Sequence, residues 1–370
     1  MDPYPLIFQP ILKPKIWGGR RLATRVGKHL PPGETIGESW EVADLEDDQS
    51  VVATGPARGK TLGALVREWG VDLTGRAPLF DGRFPLLIKF LDACDTLSLQ
   101  VHPDEATAKR LGGRVRVKNE AWYVVDADHG GFIYRGLRDG VDADALQRAI
   151  RDRRVASVLN RIDVRKGHCY YLPSGTLHAL GAGVVVAEVQ TPSDITYRVY
   201  DWDRIDATTG APRELHVRDA LACTSFAPVP TAHERPSHVA SVWAAVTQLV
   251  KCDSFVIERV RLVPGVEQPL HYGEMVIWIV LDGSGRIDCD AAPGSIPFRK
   301  GDTVLIPAAL PGGRVATDDP CMWLEVTVPI ASSLGAYDRP GRRALMDVGG
   351  SGPVKVSLNV PNDDTKRDAS

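Results

Sequence analysis

The segment Leu97-Ser-Leu-Gln-Val-His102 alternates strictly between apolar and polar side chains. Successive side chains of a β-strand point to opposite faces, so Ser98, Gln100 and His102 are expected together on one face. The preceding segment 84–91 is too apolar for an exposed edge strand, which favours an internal polar face. A hydroxyl, an amide and an imidazole on such a face are groups that can bind a metal or a polar ligand.

A second segment, Val117–Val125, predicts another strand with reactive groups on one face. Glu120 can supply a carboxylate oxygen, and Lys118 is expected about 7 Å farther along the same face. The turn Pro173-Ser-Gly175 is followed by His178, which is expected at the start of the next strand.

Two imidazoles, one carboxylate and one amide oxygen form a mixed nitrogen and oxygen set that suits Zn²⁺ and is compatible with Mn²⁺, Co²⁺ or Fe²⁺. Taken alone, a histidine on a strand is more often structural than a ligand. Because His102 and His178 fall in one β-rich region with Glu120 and Gln100, we predict that the four residues hold one metal ion.

The segment Ile195–Arg204 contributes a guanidinium to an otherwise aromatic strand. Alternation places Thr196, Arg198 and Tyr200 on one face. Arg198 has two interpretations of equal weight on pattern alone. It forms an interfacial salt bridge, or it holds a phosphate through paired hydrogen bonds and stabilises an oxyanion.

Most of the chain consists of short β-rich runs closed by Gly, Pro, Asn or Asp, among 35 glycines and 27 prolines. This pattern is typical of sandwiches and barrels. Three helical segments are expected, at 61–69 with Thr61 as N-cap, at 105–111 and at 142–160.

One internal repeat supports two similar β-domains. Val164–Ser174 matches Phe298–Ala308 at an offset of 134 residues, and both copies read as a Lys-Gly turn, a short apolar strand and a proline. A Lys-Gly turn is common and a short match can arise by chance, but the shared order of turn, strand and proline argues against chance.

The domain prediction places a boundary in the proline-rich stretch 227–236. A catalytic, metal-binding domain is expected over residues 1–227 and a degenerate domain over 237–335. The remaining residues, 338–370, are expected to form an extended, partly flexible tail.

Bulk properties exclude several classes. With 370 residues and a formal charge of −3, the chain has room for two domains but no basic footprint for nucleic acid or for an anionic membrane. Six scattered cysteines indicate neither a disulfide scaffold nor a thiolate zinc site. We find neither a transmembrane run nor a signal peptide, so a cytoplasmic location is expected.

Seven ordered motifs resemble type I mannose-6-phosphate isomerases over about residues 5 to 330. They are Lys13–Gly19, Gly37–Glu41, Phe84–Leu91, Leu97–Pro103, Lys118–Glu120, Pro173–Ala179 and Thr196–Asp201.

The resemblance implies a mainly β chain of two cupin (jelly-roll β-barrel) domains with a small helical segment, and one zinc ion per chain. It implies interconversion of mannose 6-phosphate and fructose 6-phosphate. By position, the family's metal ligands fall on Gln100, His102, Glu120 and His178. Its active-site arginine falls on Arg198 and its lysine on Lys118.

The chain resembles the short form of the family, since it has no large helical insertion between the ligand-bearing strands. The second β-domain departs from a metal site. Gly312 stands at the position equivalent to His178, and only His271 and Glu274 are left of a ligand motif. We interpret this second copy as structural.

Aldose–ketose isomerisation moves a proton between C1 and C2 through an enediolate, so fixed positive charge must stabilise an oxyanion. The base is open among neutral Lys118, a metal-bound water and His168. Candidates for seating the phosphate are Arg198, Ser98 and Lys118.

The substrate expected is a small sugar phosphate, and the chain is expected to be a monomer or a homodimer. Three alternatives compete with the main prediction: an isomerase of another sugar phosphate, a cupin oxidoreductase with Fe²⁺ or Mn²⁺, and a non-catalytic sugar-binding cupin. Lysine and arginine beside the metal favour an anionic substrate over the oxidoreductase.

Overall fold

The computed structural model describes residues 2–112, 115–206, 209–234 and 237–330. The predicted tail 338–370 and the last residues of the predicted second domain lie outside this part of the chain.

Short strands dominate the described residues. The strands are β1 Leu6–Gln9, β2 Ile11–Lys13, β3 Glu38–Val42, β4 Val51–Val52, β5 Leu87–Ala93, β6 Leu99–Val101, β7 Glu120–Ala127, β8 Phe132–Leu137, β9 Leu159–Asp163, β10 Cys169–Leu172, β11 His178–Leu180, β12 Val184–Gln190, β13 Tyr197–Tyr200, β14 Ser237–Ala240, β15 Ala244–Lys251, β16 Val256–Leu262, β17 Glu267–Pro269, β18 Val276–Asp282, β19 Ser284–Asp288, β20 Ser295–Arg299, β21 Thr303–Ile306, β22 Arg314–Thr317 and β23 Cys321–Thr327.

Helices are short and peripheral. The α-helices are α1 Leu62–Trp69, α2 Val71–Thr74, α3 Glu105–Leu111, α4 Ala143–Arg151 and α5 Val217–Cys223, joined by a π-helix at Leu22–Val26 and a 3₁₀-helix at Val155–Val158.

The strands form four sheets. The N-terminal sandwich consists of a six-stranded sheet in the order β10-β7-β12-β5-β3-β2 and a five-stranded sheet in the order β13-β6-β11-β8-β9. The C-terminal sandwich consists of an eight-stranded sheet, β14-β15-β16-β23-β18-β21-β1-β4, and a four-stranded sheet, β17-β22-β19-β20. The prediction of a mainly β protein with two cupin-type units is confirmed.

The sheets stack as four layers because each is apolar on the faces it shares with its neighbours. Trp122, Val124 and Val186 lie between the two sheets of the N-terminal sandwich. The opposite face of the six-stranded sheet packs on the eight-stranded sheet, and Phe90 and Ile277 belong to the same hydrophobic core cluster. One continuous core therefore joins the two sandwiches.

The chain crosses between sandwiches at its start. Strand β1 pairs with β21 through Leu6 opposite Leu305, and with β4 through Phe8 opposite Val52. Residues near the N-terminus thus complete the eight-stranded sheet. The predicted boundary at 227–236 stays a prediction.

The internal repeat in the sequence corresponds to a repeat in the local structure. Strands β10 and β21 begin 134 residues apart, at Cys169 and Thr303. The turn glycines Gly167 and Gly301 have φ of 92° and 90°, a left-handed conformation that glycine adopts without steric cost. The two copies therefore share their turn geometry as well as their sequence.

Two predicted helices form where expected. Thr61 caps α1 by accepting from Ala64 N at 3.2 Å, and Asp104 caps α3 by accepting from Thr107 N at 2.8 Å. The third segment is only partly helical.

Strand β9 replaces the end of that third predicted helix. Helix α4 ends at Arg151, and Arg153 has a left-handed φ of 56° that breaks the helical path. Leu159–Asp163 then pairs with β8, because tertiary pairing overrides the helical spacing of its apolar residues.

Candidate metal centre and active site

Three strands of the five-stranded sheet place polar side chains in one row. Gln100 on β6 lies opposite His178 on β11 and opposite Arg198 on β13. The facing sheet contributes Glu120 at the start of β7, with Lys118 just before it. Two sheets thus present their polar groups to the same space inside the N-terminal sandwich.

His102, Glu120 and His178 converge in this space, and all three are buried. Glu120 Oε2 lies 3.3 Å from His102 Nε2 and 3.0 Å from His178 Nε2. Two atoms bound to one tetrahedral zinc ion are about 3.3 Å apart. The spacing therefore fits a shared metal ion.

Backbone contacts fix which ring nitrogens face the cluster. His102 Nδ1 lies 3.1 Å from the Ile195 carbonyl oxygen, and His178 Nδ1 lies 2.8 Å from that of Thr176. A carbonyl oxygen only accepts, so each Nδ1 carries a proton and donates it. Burial, followed by the charge of Lys118, lowers the pKa of His102 to about 3. That ring is neutral, and its Nε2 carries a lone pair, which Lys118 Nζ approaches to 3.3 Å.

The cluster has no internal donor between the imidazoles and the carboxylate. Glu120 Oε2 is buried and accepts no hydrogen bond, while two Nε2 lone pairs point at it. Three electron-pair donors at this distance repel one another unless a cation lies between them. The residues therefore fit a divalent metal.

Lys118 lies at the edge of this cluster. Its Nζ is 2.6 Å from Glu120 Oε1 and 3.3 Å from His102 Nε2. Burial of Glu120 opposes its ionisation, but the positive charge of Lys118 outweighs it and holds the pKa of the carboxyl well below its usual range. Glu120 is thus an ionised carboxylate.

A cavity of about 300 Å³ opens beside the cluster, a size typical of small-ligand sites. Ser98, Gln100, Lys118 and Arg198 all line it. The Gln100 amide donates to Ser98 Oγ at 3.2 Å, which leaves its carbonyl oxygen available as a ligand. The structure therefore brings the other four predicted site residues together at this cavity. They are Ser98, Gln100, Lys118 and Arg198.

Arg198 is held by backbone rather than by a carboxylate. Its Nη1 donates to the Glu214 carbonyl oxygen at 2.8 Å, and its buried Nε has no partner. Among the described residues it forms no ion pair, which removes the salt-bridge interpretation and favours the functional one.

A second arginine, Arg213, lines the same cavity and was missed by sequence reasoning. Asp201 holds it through two hydrogen bonds, at 2.8 Å to Nε and 2.5 Å to Nη2. Burial, followed by the charge of Arg213, lowers the pKa of Arg198. The two guanidinium groups thus flank a space suited to an anion.

Sequence reasoning also missed a buried row of charges on the six-stranded sheet. Glu188 lies opposite Lys89 on one side and Trp122 on the other. Lys89 Nζ is 3.5 Å from Glu188 Oε1, and the Trp122 indole donates to Glu188 Oε2 at 2.8 Å. Each charge interrupts an apolar run, 84–91 or 184–190, and that interruption was the available signal.

The pKa of Glu188 is raised by burial and by the negative charge of Glu120, against the effect of Lys89. Glu38, 3.8 Å from Lys89 on the other side, behaves differently. Although burial raises the pKa of Glu38, Lys89 and Lys15 outweigh it and lower that pKa. Of the two carboxyl groups beside Lys89, Glu188 is therefore the one whose pKa is shifted upward, the direction expected of a carboxyl group that transfers protons.

His168, an expected candidate for the base, does not line this cavity. Its ring stacks on His233 at 4.4 Å, and its Nδ1 lies 3.1 Å from the Tyr170 hydroxyl. We therefore remove His168 from the candidates for the base.

In the C-terminal sandwich, Glu274 of the degenerate ligand motif forms an ion pair with Arg76. Glu274 accepts from Arg76 N at 2.6 Å and from Arg76 Nε at 2.5 Å, and His271 is exposed. Glu274 thus ties the C-terminal sandwich to the loop after α2.

The layered fold and the buried His/Glu/His cluster beside a cationic cavity define a mainly β, cupin-like protein with a group of side chains that could hold a metal ion. A family model described as phosphomannose isomerase type I, catalytic domain, matches residues 6–132. Mannose-6-phosphate isomerase ManA of Bacillus subtilis is 34% identical over 310 residues, covering 84% of this chain and 95% of that protein. The chain belongs to the type I mannose-6-phosphate isomerase family, and the prediction of an enzyme of this family is confirmed.

Two further relatives agree. Mannose-6-phosphate isomerase of Streptococcus mutans is 34% identical over 308 residues, covering 82% of this chain and 92% of that protein. The crystal structure of the mannose 6-phosphate isomerase from Bacillus subtilis superposes with a TM-score of 0.79 at 32% identity, covering 88% of this chain and all of that one.

A search of the helices in the described ranges finds none with both the length and the apolarity to span a membrane. All six cysteines are free.

Proposed function

We propose that this chain interconverts mannose 6-phosphate and fructose 6-phosphate at one zinc ion held by His102, Glu120, His178 and Gln100. The observation that carries the proposal is the cluster itself. Two imidazoles with protons fixed on Nδ1 direct their Nε2 lone pairs at a buried carboxylate oxygen without a donor. Gln100 is included because its amide NH₂ is engaged by Ser98, so its oxygen is the free end.

The metal supplies Lewis-acid stabilisation of the negative charge that develops on the substrate oxygens. Zinc is favoured by the mixed nitrogen and oxygen donor set. Lys118 adds fixed positive charge next to the same ligands, since its Nζ lies 2.6 Å from Glu120 Oε1.

The cavity carries the charge expected of a site for a sugar phosphate. Its lining contains five cationic side chains and four carboxylates, before the charge of any metal is added. The cations are Lys15, Lys89, Lys118, Arg198 and Arg213, and the carboxylates are Glu38, Glu120, Glu188 and Asp194.

Arg198 and Arg213 seat the phosphate in this proposal. Arg198 has an unpartnered Nε, and Arg213 is held in place by Asp201. Ser98 is close to the same row through its contact with Gln100. Planar guanidinium groups bind phosphate oxygens through paired hydrogen bonds.

Glu188 moves the proton between C1 and C2. It lines the cavity, it is not a metal ligand, and its pKa is raised by burial and by Glu120. Ionised Glu188 accepts the C2 proton of the aldose on Oε1, which leaves an enediolate with its negative charge on O1. The hydroxyl proton of O2 passes to O1, and Glu188 returns its proton to C1, so that O2 becomes the carbonyl oxygen of the ketose. Trp122 holds the other oxygen, Oε2, in place throughout.

The alternatives are weaker on this geometry. An oxidoreductase of neutral substrates or a sugar-binding module has no use for two arginines and a lysine around a metal-ligand cluster. An isomerase that is specific for another sugar phosphate stays an alternative. The cytoplasmic location is proposed with the activity, because free thiols, one of them exposed at Cys94, are typical of a reducing compartment.

The deciding experiment is an isomerase assay on a panel of aldose and ketose phosphates, before and after chelation and after reloading with zinc. We expect conversion of mannose 6-phosphate that disappears with chelation and returns with zinc. A zinc-loaded protein that converts no sugar phosphate would refute the proposed function.

A further inference from the structure

Asn119 lies between Lys118 and Glu120 in the chain but uses its side chain elsewhere. Its Oδ1 accepts from Ser174 N at 3.1 Å, and its Nδ2 donates to Ser254 Oγ at 3.2 Å. Its backbone N–H donates to Thr191 Oγ1 at 3.2 Å. Both ends of the amide therefore have partners, one in each sandwich.

The first partner belongs to the turn that aims His178. Ser174 lies in the turn closed by Thr176 N donating to the Pro173 carbonyl at 3.1 Å. Thr176 then presents its own carbonyl oxygen to His178 Nδ1 at 2.8 Å. This contact determines which nitrogen of His178 faces the metal cluster, so a shift of the turn would move a ligand.

The same turn is tied to the second imidazole. Gly175 N donates to the carbonyl oxygen of His102 at 2.8 Å. Asn119 is therefore hydrogen-bonded to a turn that contacts both ligand histidines.

The second partner is anchored in the C-terminal sandwich. Ser254 lies in the turn between β15 and β16, which is closed by Cys252 N donating to the Phe255 carbonyl at 3.0 Å. Phe255 is fully buried and packs edge-on against Tyr171 at 6.3 Å. Ser254 is thus a fixed point rather than a free surface hydroxyl.

We propose that Asn119 is a positioning residue through which the C-terminal sandwich, by way of Ser254, holds the His178 turn in its metal-binding geometry. The inference rests on the metal centre of the proposed function but not on the identity of the sugar. It gives the C-terminal sandwich, in whose described residues no such ligand cluster is found, a direct role at the metal site of the N-terminal sandwich. Partners behind metal ligands commonly change metal affinity 10- to 100-fold when they are removed.

Three variants test this inference: Ser254→Ala, Asn119→Ala and the control Glu274→Gln. The control removes the charge and one acceptor from the contact with Arg76, which also joins the C-terminal sandwich to the N-terminal half but lies away from the cluster. Zinc-loaded protein is mixed with excess chromophoric chelator, and the half-life of zinc release is measured.

We expect Ser254→Ala to release zinc about fivefold faster, since it removes one hydrogen bond. Asn119→Ala should release it about tenfold faster or more, and Glu274→Gln should match the wild type. The double variant Asn119→Ala/Ser254→Ala should behave like Asn119→Ala alone, because Ser254 acts through Asn119.

A second readout needs no metal. In chelated protein, peptide-resolved hydrogen exchange over residues 172–178 should be faster in Asn119→Ala and Ser254→Ala than in the wild type, because Ser174 N–H loses its ordered acceptor. Glu274→Gln should leave this exchange unchanged.

Wild-type zinc release in Ser254→Ala, or additive effects of the two substitutions, would overturn the inference. It would also be overturned if Glu274→Gln accelerated release as much as Ser254→Ala, since general loosening of the sandwiches would then explain both. A wild type that holds zinc but isomerises no sugar phosphate would refute the proposed function and leave this inference standing.

Discussion

The assignment of Glu188 as the proton carrier is tested by Glu188→Gln. Glutamine has the same shape and can still accept the Trp122 indole N–H through its amide oxygen, a bond that measures 2.8 Å in the native chain. It cannot accept a proton from carbon. The substitution therefore separates chemistry from packing.

The expected loss in kcat is 10²- to 10⁴-fold, the usual contribution of a positioned general base. This corresponds to about 3 to 5 kcal/mol in activation free energy. KM should change much less. Because ionised Glu188 is disfavoured in the folded chain and Lys89 keeps Glu38 at 3.8 Å, the free energy of unfolding near neutral pH should change by less than about 1 kcal/mol.

The pH dependence gives an independent check. Ionised Glu188 is the active form, so kcat/KM of the wild type should fall as pH drops through its pKa. Because burial and Glu120 raise that pKa, the acid limb should lie above the value of about 4.3 for an ordinary glutamate. In Glu188→Gln this limb should vanish.

The same shift predicts a stability trend. A raised carboxyl pKa means that the folded chain binds the proton more tightly than the unfolded chain. The contribution of Glu188 to stability is therefore fully present below the unfolded pKa and is lost as pH rises through the folded one. Unfolding titrations of wild type and Glu188→Gln at several pH values measure it.

Glu38→Gln is the matched control. Glu38 is also buried, also contacts Lys89 and also accepts an indole N–H, from Trp40 at 2.7 Å, but its pKa is lowered. We expect a larger loss of stability than in Glu188→Gln, because the folded chain favours ionised Glu38, together with less than a tenfold loss in kcat. If Glu188→Gln retained more than a tenth of wild-type kcat, or if both variants lost activity equally, Glu188 would not be the base.

His178→Ala should fold but lose its metal and its activity together, as measured by metal analysis and circular dichroism; full metal content would contradict the ligand assignment. Arg213→Ala should raise KM for mannose 6-phosphate about tenfold or more with a smaller change in kcat, and an unchanged KM would exclude it from the phosphate site. Gly301→Ala should lower the free energy of unfolding by about 2 kcal/mol or more, since its φ is 90° and the new Cβ would lie 2.4 Å from the Val26 carbonyl oxygen. Its repeat partner Gly167→Ala has the same φ but only contacts beyond 3.7 Å, so denaturant titration should show a smaller loss, about 1–2 kcal/mol.

Short sequence patterns correctly predicted those strands and helices that depend on neighbouring residues in the chain. Alternation predicted the polar faces containing Gln100 and Glu120, and capping residues such as Thr61 predicted helix starts. The α-helix expected over 142–160 ends at Arg151 and is followed by a 3₁₀-helix at Val155–Val158 and by strand β9 from Leu159. Pairing of β9 with β8 is a long-range effect that helical spacing does not report.

The cluster of His102, Glu120 and His178 could be predicted because imidazoles and a carboxylate on predicted strands are recognisable metal-binding groups. Glu188 and Lys89 were missed because their importance depends on sheet order. Strand β12 lies between β5 and β7, which places Glu188 beside Lys89 and Trp122 although the three are far apart in sequence. Arg213 was missed for a similar reason, since a polar loop gives no sign that Asp201 will fold it over the cavity.

The placement of β1 affects how this chain can be synthesised and assembled. Strand β1, Leu6–Gln9, is synthesised before the other described strands, yet its partner β21 follows almost 300 residues later. The eight-stranded sheet cannot close until β21 has been made, so the two halves are not free to mature one after the other. An amino-terminal truncation should therefore damage the carboxy-terminal half, and heating should melt both halves in a single transition.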